Sequence, residues 1–128
     1  MPYTQVTEML ECVDDVDSEY YNQLVLREGV DSVDWQSSEK MIRIDPWYRW
    51  GVIVDHNRDP IENGAGCCIF LHNTTGAGDR TSGCTAIEPD YMREIVFWLD
   101  SQKRPILVQL TREDYGALHD SWDLPEIQ

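Results

Sequence analysis

The chain has 128 residues, 41% of them hydrophobic, a length at which a single domain buries its own core. Its formal charge of -14 and its isoelectric point near 4.3 argue against nucleic-acid binding and against a polybasic membrane anchor, because both require a basic face. No run approaches the ~18 apolar residues of a membrane span. The first residues show neither the basic nor the apolar region of an export signal.

The N-terminal third is acidic. Residues 3–7 alternate weakly between polar and apolar and predict a short edge strand. Residues 11–17 carry four carboxylates around Cys12 but lack the central glycine and final glutamate of a calcium loop. We therefore interpret residues 11–17 as a solvated acidic loop. Ser18 follows, at a position where it would cap a short helix over residues 19–24.

The middle of the chain combines one predicted helical segment with one predicted strand. Serines followed by charged and apolar residues predict one or two helical turns in residues 37–43, ended by Asp45-Pro46. Consecutive β-branched residues predict a buried strand over residues 49–55. The aromatic residues between these segments, Trp47, Tyr48 and Trp50, are typical of a core edge or of a ligand groove.

The next predicted strand leads into the most informative part of the chain. Residues 67–71 are apolar, are bounded by glycines and predict a buried strand that ends at His72. A polar loop containing Gly76 and Gly78 then leads to Gly83 and Cys84.

Two helices and one more strand are predicted after this loop. Glu88-Pro89-Asp90 begins an amphipathic helix whose apolar residues recur at helical spacing up to Leu99 and should pack on the sheet. Residues 105–110 predict a strand that pairs near the His72 strand. Thr111 and Asp114 form a capping pattern, which predicts a last helix extending through Trp122.

His72 and Cys84 are the parts of a thiolate–imidazole pair. Only the thiolate attacks carbonyl groups well, and a neighbouring imidazole can take the thiol proton. Gly83 lets the backbone approach a substrate closely and helps to aim N–H groups at an oxyanion. A buried structural cysteine with a hydrogen-bonded structural histidine is the alternative interpretation. His56, which begins a polar turn, is a rival base.

The segments CIFLH (residues 68–72) and TSGCTA (residues 81–86) resemble the catalytic core of the L,D-transpeptidase (YkuD) family of bacterial cell-wall enzymes. The resemblance implies that Cys84 is the nucleophile and His72 its base. Gly83 matches the glycine that precedes the nucleophile in this family.

Three positions depart from the family pattern. Asn73 replaces the usual glycine, Ser82 replaces a second histidine, and Ala86 replaces a polar residue. Residues 48–57 and 104–110 also resemble the family, so the similarity covers most of the chain and indicates a divergent branch.

The resemblance implies a mixed α+β fold with a mainly β core, arranged as a β-sandwich, an amphipathic helix and a C-terminal helix. Residues 1–128 would be a single catalytic domain. Because the family's domain is usually longer before the histidine, we expect an N-terminal part to be missing. The expected location is the cell envelope or periplasm.

The activity implied is acyl transfer on peptidoglycan stem peptides. His72 would deprotonate Cys84, whose thiolate attacks the carbonyl of the third stem residue and expels D-alanine. An amine then resolves the thioester into a cross-link, or water completes a carboxypeptidase reaction. The N–H groups of Gly83 and Cys84 would hold the oxyanion, with Ser82 and Thr85 beside it. No cofactor or metal is expected.

Other roles follow from the same resemblance. Arg80 would bind a stem carboxylate, since a guanidinium forks onto one well, or would pair with Asp79 instead. Tyr48 or Trp50 would line the rim of the cleft. A backbone carbonyl within residues 73–76 would orient the His72 ring.

Four cysteines are present, and Cys67 and Cys68 should point to opposite faces of a strand. If Cys84 stays free, one disulfide can form. Cys68 lies in the family-like strand and Cys12 in the acidic loop, and we expect these two to pair; four free thiols are the alternative.

Two other functions remain open. One is a non-catalytic domain that binds the cell wall or is a remnant of an enzyme. The other is a cysteine peptidase of a different clan, which needs an Asn or Asp beside His72 in space.

Overall fold

The computed structural model describes residues 3–43, 46–74, 76 and 80–127. Two three-stranded sheets and two α-helices make up the fold, so the expected mixed α+β class is confirmed. The first sheet has the order β2-β1-β3, with both pairs antiparallel. Its strands are β1 (Leu10–Val13), β2 (Leu24–Leu26) and β3 (Ser38–Lys40).

The first sheet contradicts three predictions. Residues 3–7 form no strand, and the first strand begins only at Leu10. Residues 38–40, predicted as helical turns, form β3; the predicted end at Asp45 lies outside the described residues. No helix follows Ser18, because its hydroxyl accepts a hydrogen bond from the Tyr20 N–H at 3.0 Å and stabilises a turn.

Glu11 is not in a solvated loop but lies on β1, with only 1% of its surface exposed. Its carboxylate accepts hydrogen bonds from four side chains of neighbouring segments: Arg27, Trp35, Ser38 and Lys40. Burial raises the pKa of Glu11, but these four hydrogen bonds together outweigh it and lower the pKa to about 2. The acid is therefore a structural anion at the centre of the sheet.

The second sheet has the order β4-β5-β6. Its strands are β4 (Gly51–Ile53), β5 (Phe70–Asn73) and β6 (Thr85–Ile87), and β5 pairs antiparallel with β4 and parallel with β6. The strands predicted over residues 49–55 and 67–71 therefore exist, although the second begins later than predicted. Cys67 and Cys68 precede β5 and do not take opposite faces of a strand, because Cys68 has a φ of 51°.

A disulfide between Cys12 and Cys68 joins the two sheets, so the predicted pairing is confirmed. Cys12 lies on β1 rather than in a loop. Asn22 adds a second tie, since its side-chain amide donates to the carbonyls of His56 and Asn57 and its Oδ1 accepts from the Cys68 N–H. The core around the disulfide includes Leu10, Met41, Tyr48 and Phe70.

Both predicted helices are confirmed. Helix α1 (Pro89–Trp98) packs on β4 and β5 and buries Met92 completely. Helix α2 (Arg112–Trp122) begins after Thr111, whose hydroxyl accepts from the Asp114 N–H and donates to its carboxylate. Neither helix, nor any other among the described residues, has the length and apolar character needed to cross a membrane.

The strand predicted over residues 105–110 is not formed. This segment pairs with no strand among the described residues and is exposed throughout. Its apolar composition suits a strand, but a strand also requires a partner backbone, which sequence pattern alone does not supply.

Candidate functional site

His72 lies on β5, the middle strand of its sheet, and is 1% exposed. Its ring stacks on Trp47, with ring centroids 5.2 Å apart and planes 18° apart. Tyr48 packs against it at 5.3 Å with a 59° tilt. Both aromatic residues belong to the 3-10 turn Trp47–Arg49, which contacts β5. Two of the three aromatic residues noted in the sequence, Trp47 and Tyr48, therefore pack against the histidine ring.

The hydrogen bond of the His72 ring determines its tautomer. Nδ1 lies 2.7 Å from the backbone oxygen of Asn73. Because a carbonyl oxygen can only accept, Nδ1 must carry the proton, which leaves the lone pair of the neutral ring on Nε2. The expectation that a carbonyl within residues 73–76 orients the ring is confirmed.

Cys84 lies immediately before β6 and its thiol is half-buried and free. Sγ accepts from the Phe70 N–H and donates to the Cys68 oxygen, both at 3.4 Å. The thiol thus bonds to backbone groups of the β5 segment at the point where the β5–β6 ladder begins. Burial, the largest effect, raises the pKa of the Cys84 thiol, and the Glu39 carboxylate raises it further. The hydrogen bond from the Phe70 N–H lowers it, but the net result is a raised pKa.

The parallel register relates the thiol to the imidazole. His72 is paired with Ala86, so Cys84 precedes the position opposite His72 by two residues. On neighbouring strands, residues with this offset are diagonal neighbours. No hydrogen bond joins the imidazole to the thiol, since each is bonded to backbone groups instead. The structure places Cys84 directly before β6, next to the strand that carries His72, and does not form the ion pair.

The residues around Cys84 are held in different ways. Gly83 has a φ of 151°, and a Cβ added there would lie 3.3 Å from the Cδ1 of Ile69. The backbone conformation therefore favours glycine at this position, and a larger residue would also require the Ile69 side chain to shift by a few tenths of an ångström. The Thr81 hydroxyl donates to the Cys84 carbonyl, and Thr85 begins β6 half-buried.

The other predicted site residues lie further out. Ser82 and Arg80 are exposed, and exposure is what binding to a substrate carboxylate would require of Arg80. Asp79, the alternative partner of Arg80, lies outside the described residues. Gly78 of the preceding loop also lies outside them. Trp50 is half-buried and meets Phe97 of α1 edge-on at 5.9 Å.

Tyr48 does not line a rim, because it is 5% exposed and lies in the core. Its hydroxyl donates to the Glu39 carboxylate. Burial, Glu39 and the nearby Cys84 all raise the pKa of Tyr48, so the phenol stays protonated.

The rival base is placed elsewhere. His56 is exposed, and its Nε2 lies 2.8 Å from the Ala65 oxygen. This contact orients it toward the loop before Cys67 and gives it no bond to Cys84.

Two polar residues of the site were missed by the sequence analysis. Glu39 bonds to Tyr48 and raises the pKa of Cys84, and the Arg43 guanidinium lies 4.6 Å from the ring centroid of Trp47. Both lie in the segment predicted as helical turns. Two of the three residues of β3 are charged, so the strand shows no alternation between polar and apolar residues. No sequence signal therefore indicated a strand there.

Within the described part of the chain, no three His, Cys, Asp or Glu side chains are grouped to hold a metal ion. Asp15, one of the acids considered for calcium, instead accepts hydrogen bonds from the Asp17 and Gln36 N–H groups.

Comparison of the chain with protein-family models, with curated proteins and with solved structures finds no significant match.

Proposed function

We propose that this protein carries out cysteine-dependent acyl transfer, with Cys84 as nucleophile and His72 as base. The observation that carries the proposal is the state of the imidazole. Its Nδ1 donates to the Asn73 carbonyl, which leaves Nε2 without the proton, and His72 lies on β5, the strand that pairs with the segment beginning directly after Cys84. A base oriented by a third group beside a nucleophile is the arrangement that activates thiols.

The geometry indicates when the proton moves. Because burial raises the pKa of Cys84, the resting thiol is protonated. The thiol must leave the Cys68 carbonyl and turn toward Nε2 before it can attack. Proton transfer would therefore accompany attack on the carbonyl, as in general base catalysis. The sulfur–carbon bond forms, the amine leaving group departs with a proton, and a thioester remains.

The substrate proposed is a peptidoglycan stem peptide in the cell envelope, as the sequence resemblance implies. The exposed Arg80 is suited to bind a stem carboxylate. An amine acceptor gives a cross-link, and water gives carboxypeptidase activity. The β-sandwich arrangement of the two sheets is part of this proposal.

A second candidate is a non-catalytic cell-wall-binding or remnant domain. One observation favours it: the Cys84 sulfur already bonds to two backbone groups of the β5 segment, as a structural cysteine does. In that case Cys84 begins the β5–β6 ladder and has no chemical role.

Intact-mass measurement after incubation with a carbapenem, a reactive acyl donor, distinguishes the two. The experiment uses a Cys67→Ala background, since Cys67 is the other free thiol. We expect one adduct, absent in Cys84→Ala. His72→Phe, which keeps an aromatic ring between Trp47 and Tyr48, should slow its formation about 100-fold. His56→Ala is the matched control and should leave the rate unchanged.

Iodoacetamide labelling against pH provides the second readout. Because the pKa of Cys84 is raised, its labelling rate should increase only at more alkaline pH than that of an ordinary thiol. Absence of a carbapenem adduct, with labelling that His72→Phe does not change, would establish the non-catalytic role instead.

A further inference from the structure

The segment of residues 105–110, PILVQL, is here called the arm strand. It carries no charge, and its apolar side chains are exposed, Ile106 to 87%. Among the described residues it forms no strand pairing. Helix α2, which follows it, contains no buried residue. An uncharged, β-branched segment of this kind is unfavourable in water unless another backbone and an apolar surface cover it.

The strand β6 offers a matching edge. It lies at the end of the second sheet, and within the part of the chain that the structure describes it pairs only with β5. The chain passes from β6 through α1 to the arm strand, which is the connection used between neighbouring parallel strands. The sheet thus has an open edge where the arm strand belongs by connectivity.

A hydrogen-bonded turn lies between α1 and the arm strand. Residues Ser101–Lys103 form a 3-10 turn, and Asp100 caps it by accepting from the Gln102 N–H at 3.0 Å. Arg104 then takes a left-handed conformation with a φ of 47°, and its N–H donates to the Ser101 carbonyl. These two hydrogen bonds hold the turn of residues 100–104, which leads from α1 to the arm strand.

Charge favours a second copy of this chain as the occupant. Residues 101–112 hold three of the ten basic residues and no acidic one, although the whole chain carries a charge of -14. The arm strand is thus flanked by basic residues, while β6 runs into the acidic start of α1 at Glu88 and Asp90. In a parallel pairing, Arg112 after the arm strand lies at the same end of the ladder as Glu88 and Asp90 after β6, so this end of the contact joins opposite charges.

We propose that the arm strand pairs in parallel with the β6 edge of a second copy, and that the second copy returns the same contact. This reciprocal exchange fills both open edges and closes the assembly as a symmetric dimer. It extends each sheet to four strands and covers Ile106 and Val108. The proposal does not depend on any chemistry at Cys84.

The first test is the mass of the full chain in solution, by light scattering across a concentration series, for two matched variants. Val108→Asp places a charge in the middle of the arm strand, and Gln109→Asp places the same charge on an adjacent polar residue. We expect the wild-type chain to form a dimer. Val108→Asp should raise the dissociation constant of this dimer at least about tenfold more than Gln109→Asp does. Since Val108 is already partly exposed, the separated chain should still fold, which circular dichroism checks.

The second test identifies which copy supplies the arm strand. A 1:1 mixture of ¹³C-labelled and unlabelled chains is unfolded together, refolded and examined for isotope-filtered NOEs. Contacts between the methyl groups of Val108 in one chain and Ile87 in the other would support the exchange. A monomer at all concentrations, a dimer that both variants leave intact, or NOEs confined within one chain would each overturn it.

Discussion

Glu11 and His72 occupy corresponding places, the middle strands of the two sheets, and each is 1% exposed. Their hydrogen bonding differs. Glu11 accepts from four side chains, two of them cationic, so its charge is fully compensated. Among the described residues, the His72 ring makes one hydrogen bond, to the neighbouring Asn73 carbonyl, and two aromatic rings pack against it.

The difference shows that two equally buried polar side chains can differ in how far their hydrogen-bonding capacity is used. A carboxylate in a core is tolerated only when donors use its lone pairs, which leaves it no capacity for chemistry. A neutral imidazole can be buried against aromatic faces with one bond and still keep a basic nitrogen. The second arrangement is the one that a catalytic base requires.

The largest expected effect concerns the Cys12–Cys68 disulfide, which links β1 of the first sheet to the segment directly before β5 of the second. Cys12→Ala/Cys68→Ala should lower the free energy of unfolding by about 4 kcal/mol, because a loop with a sequence separation of 56 residues is released in the unfolded chain. Urea unfolding measures this, with Cys67→Ala as control. A loss below about 1 kcal/mol would show that the sheets are held by packing alone.

Glu11→Gln should lower the free energy of unfolding by about 3 kcal/mol, because it removes the buried carboxylate whose pKa the surrounding donors lower from 4.5 to about 2. Glu8→Gln, at an exposed carboxylate, is the control and should change it little. If the two variants are equally stable, Glu11 does not organise the first sheet.

The same carboxylate predicts a pH dependence. The pKa of Glu11 is about 2 in the folded chain, below its ordinary value of 4.5, so folding favours the ionised form. Its contribution of about 3 kcal/mol is complete above pH 4.5 and is lost as the pH falls toward 2. Unfolding curves between pH 2 and 6 should converge for the wild type and Glu11→Gln at the acidic end.

Gly83→Ala should cost about 2 kcal/mol, because the backbone there has a φ of 151° and the new methyl group meets Ile69. Gly76→Ala is the matched control, since an added Cβ has no neighbour within 4 Å. Thermal unfolding of both variants tests whether the segment before Cys84 is rigidly held. Equal melting temperatures would contradict this.

His72→Phe should have the smallest effect on stability, about 1 kcal/mol, because it keeps the aromatic packing and removes one hydrogen bond. Urea unfolding beside Glu11→Gln makes the comparison directly. A loss as large as that of Glu11→Gln would mean that His72 also serves the fold.

Local sequence patterns predicted the elements whose signals are independent of distant partners. Helix α1 follows from a proline at its start and apolar residues at helical spacing, and α2 from the Thr111–Asp114 cap. The β-branched residues of β4 and the apolar residues before His72 likewise predicted the centre of the second sheet.

The first sheet was not predictable in this way. Glu11 and Glu39 lie in its strands. A local sequence pattern predicts that such charged residues face solvent, because the hydrogen-bonding partners that compensate their charge are distant in sequence. The arm strand shows the converse, since its composition predicts a strand but no backbone among the described residues pairs with it.

By itself, the sequence determined the residue types available for chemistry, the two helices and two strands of the second sheet, β4 and β5, but not β6. It singled out His72 and Cys84 as a pair and Cys12 and Cys68 as partners. Only the tertiary structure decided that Glu11 is buried, that Nε2 of His72 carries the lone pair, and that the Cys84 thiol bonds to the β5 segment. The physical reason is that hydrogen-bond partners distant in the chain determine burial and protonation, and local sequence pattern does not contain them.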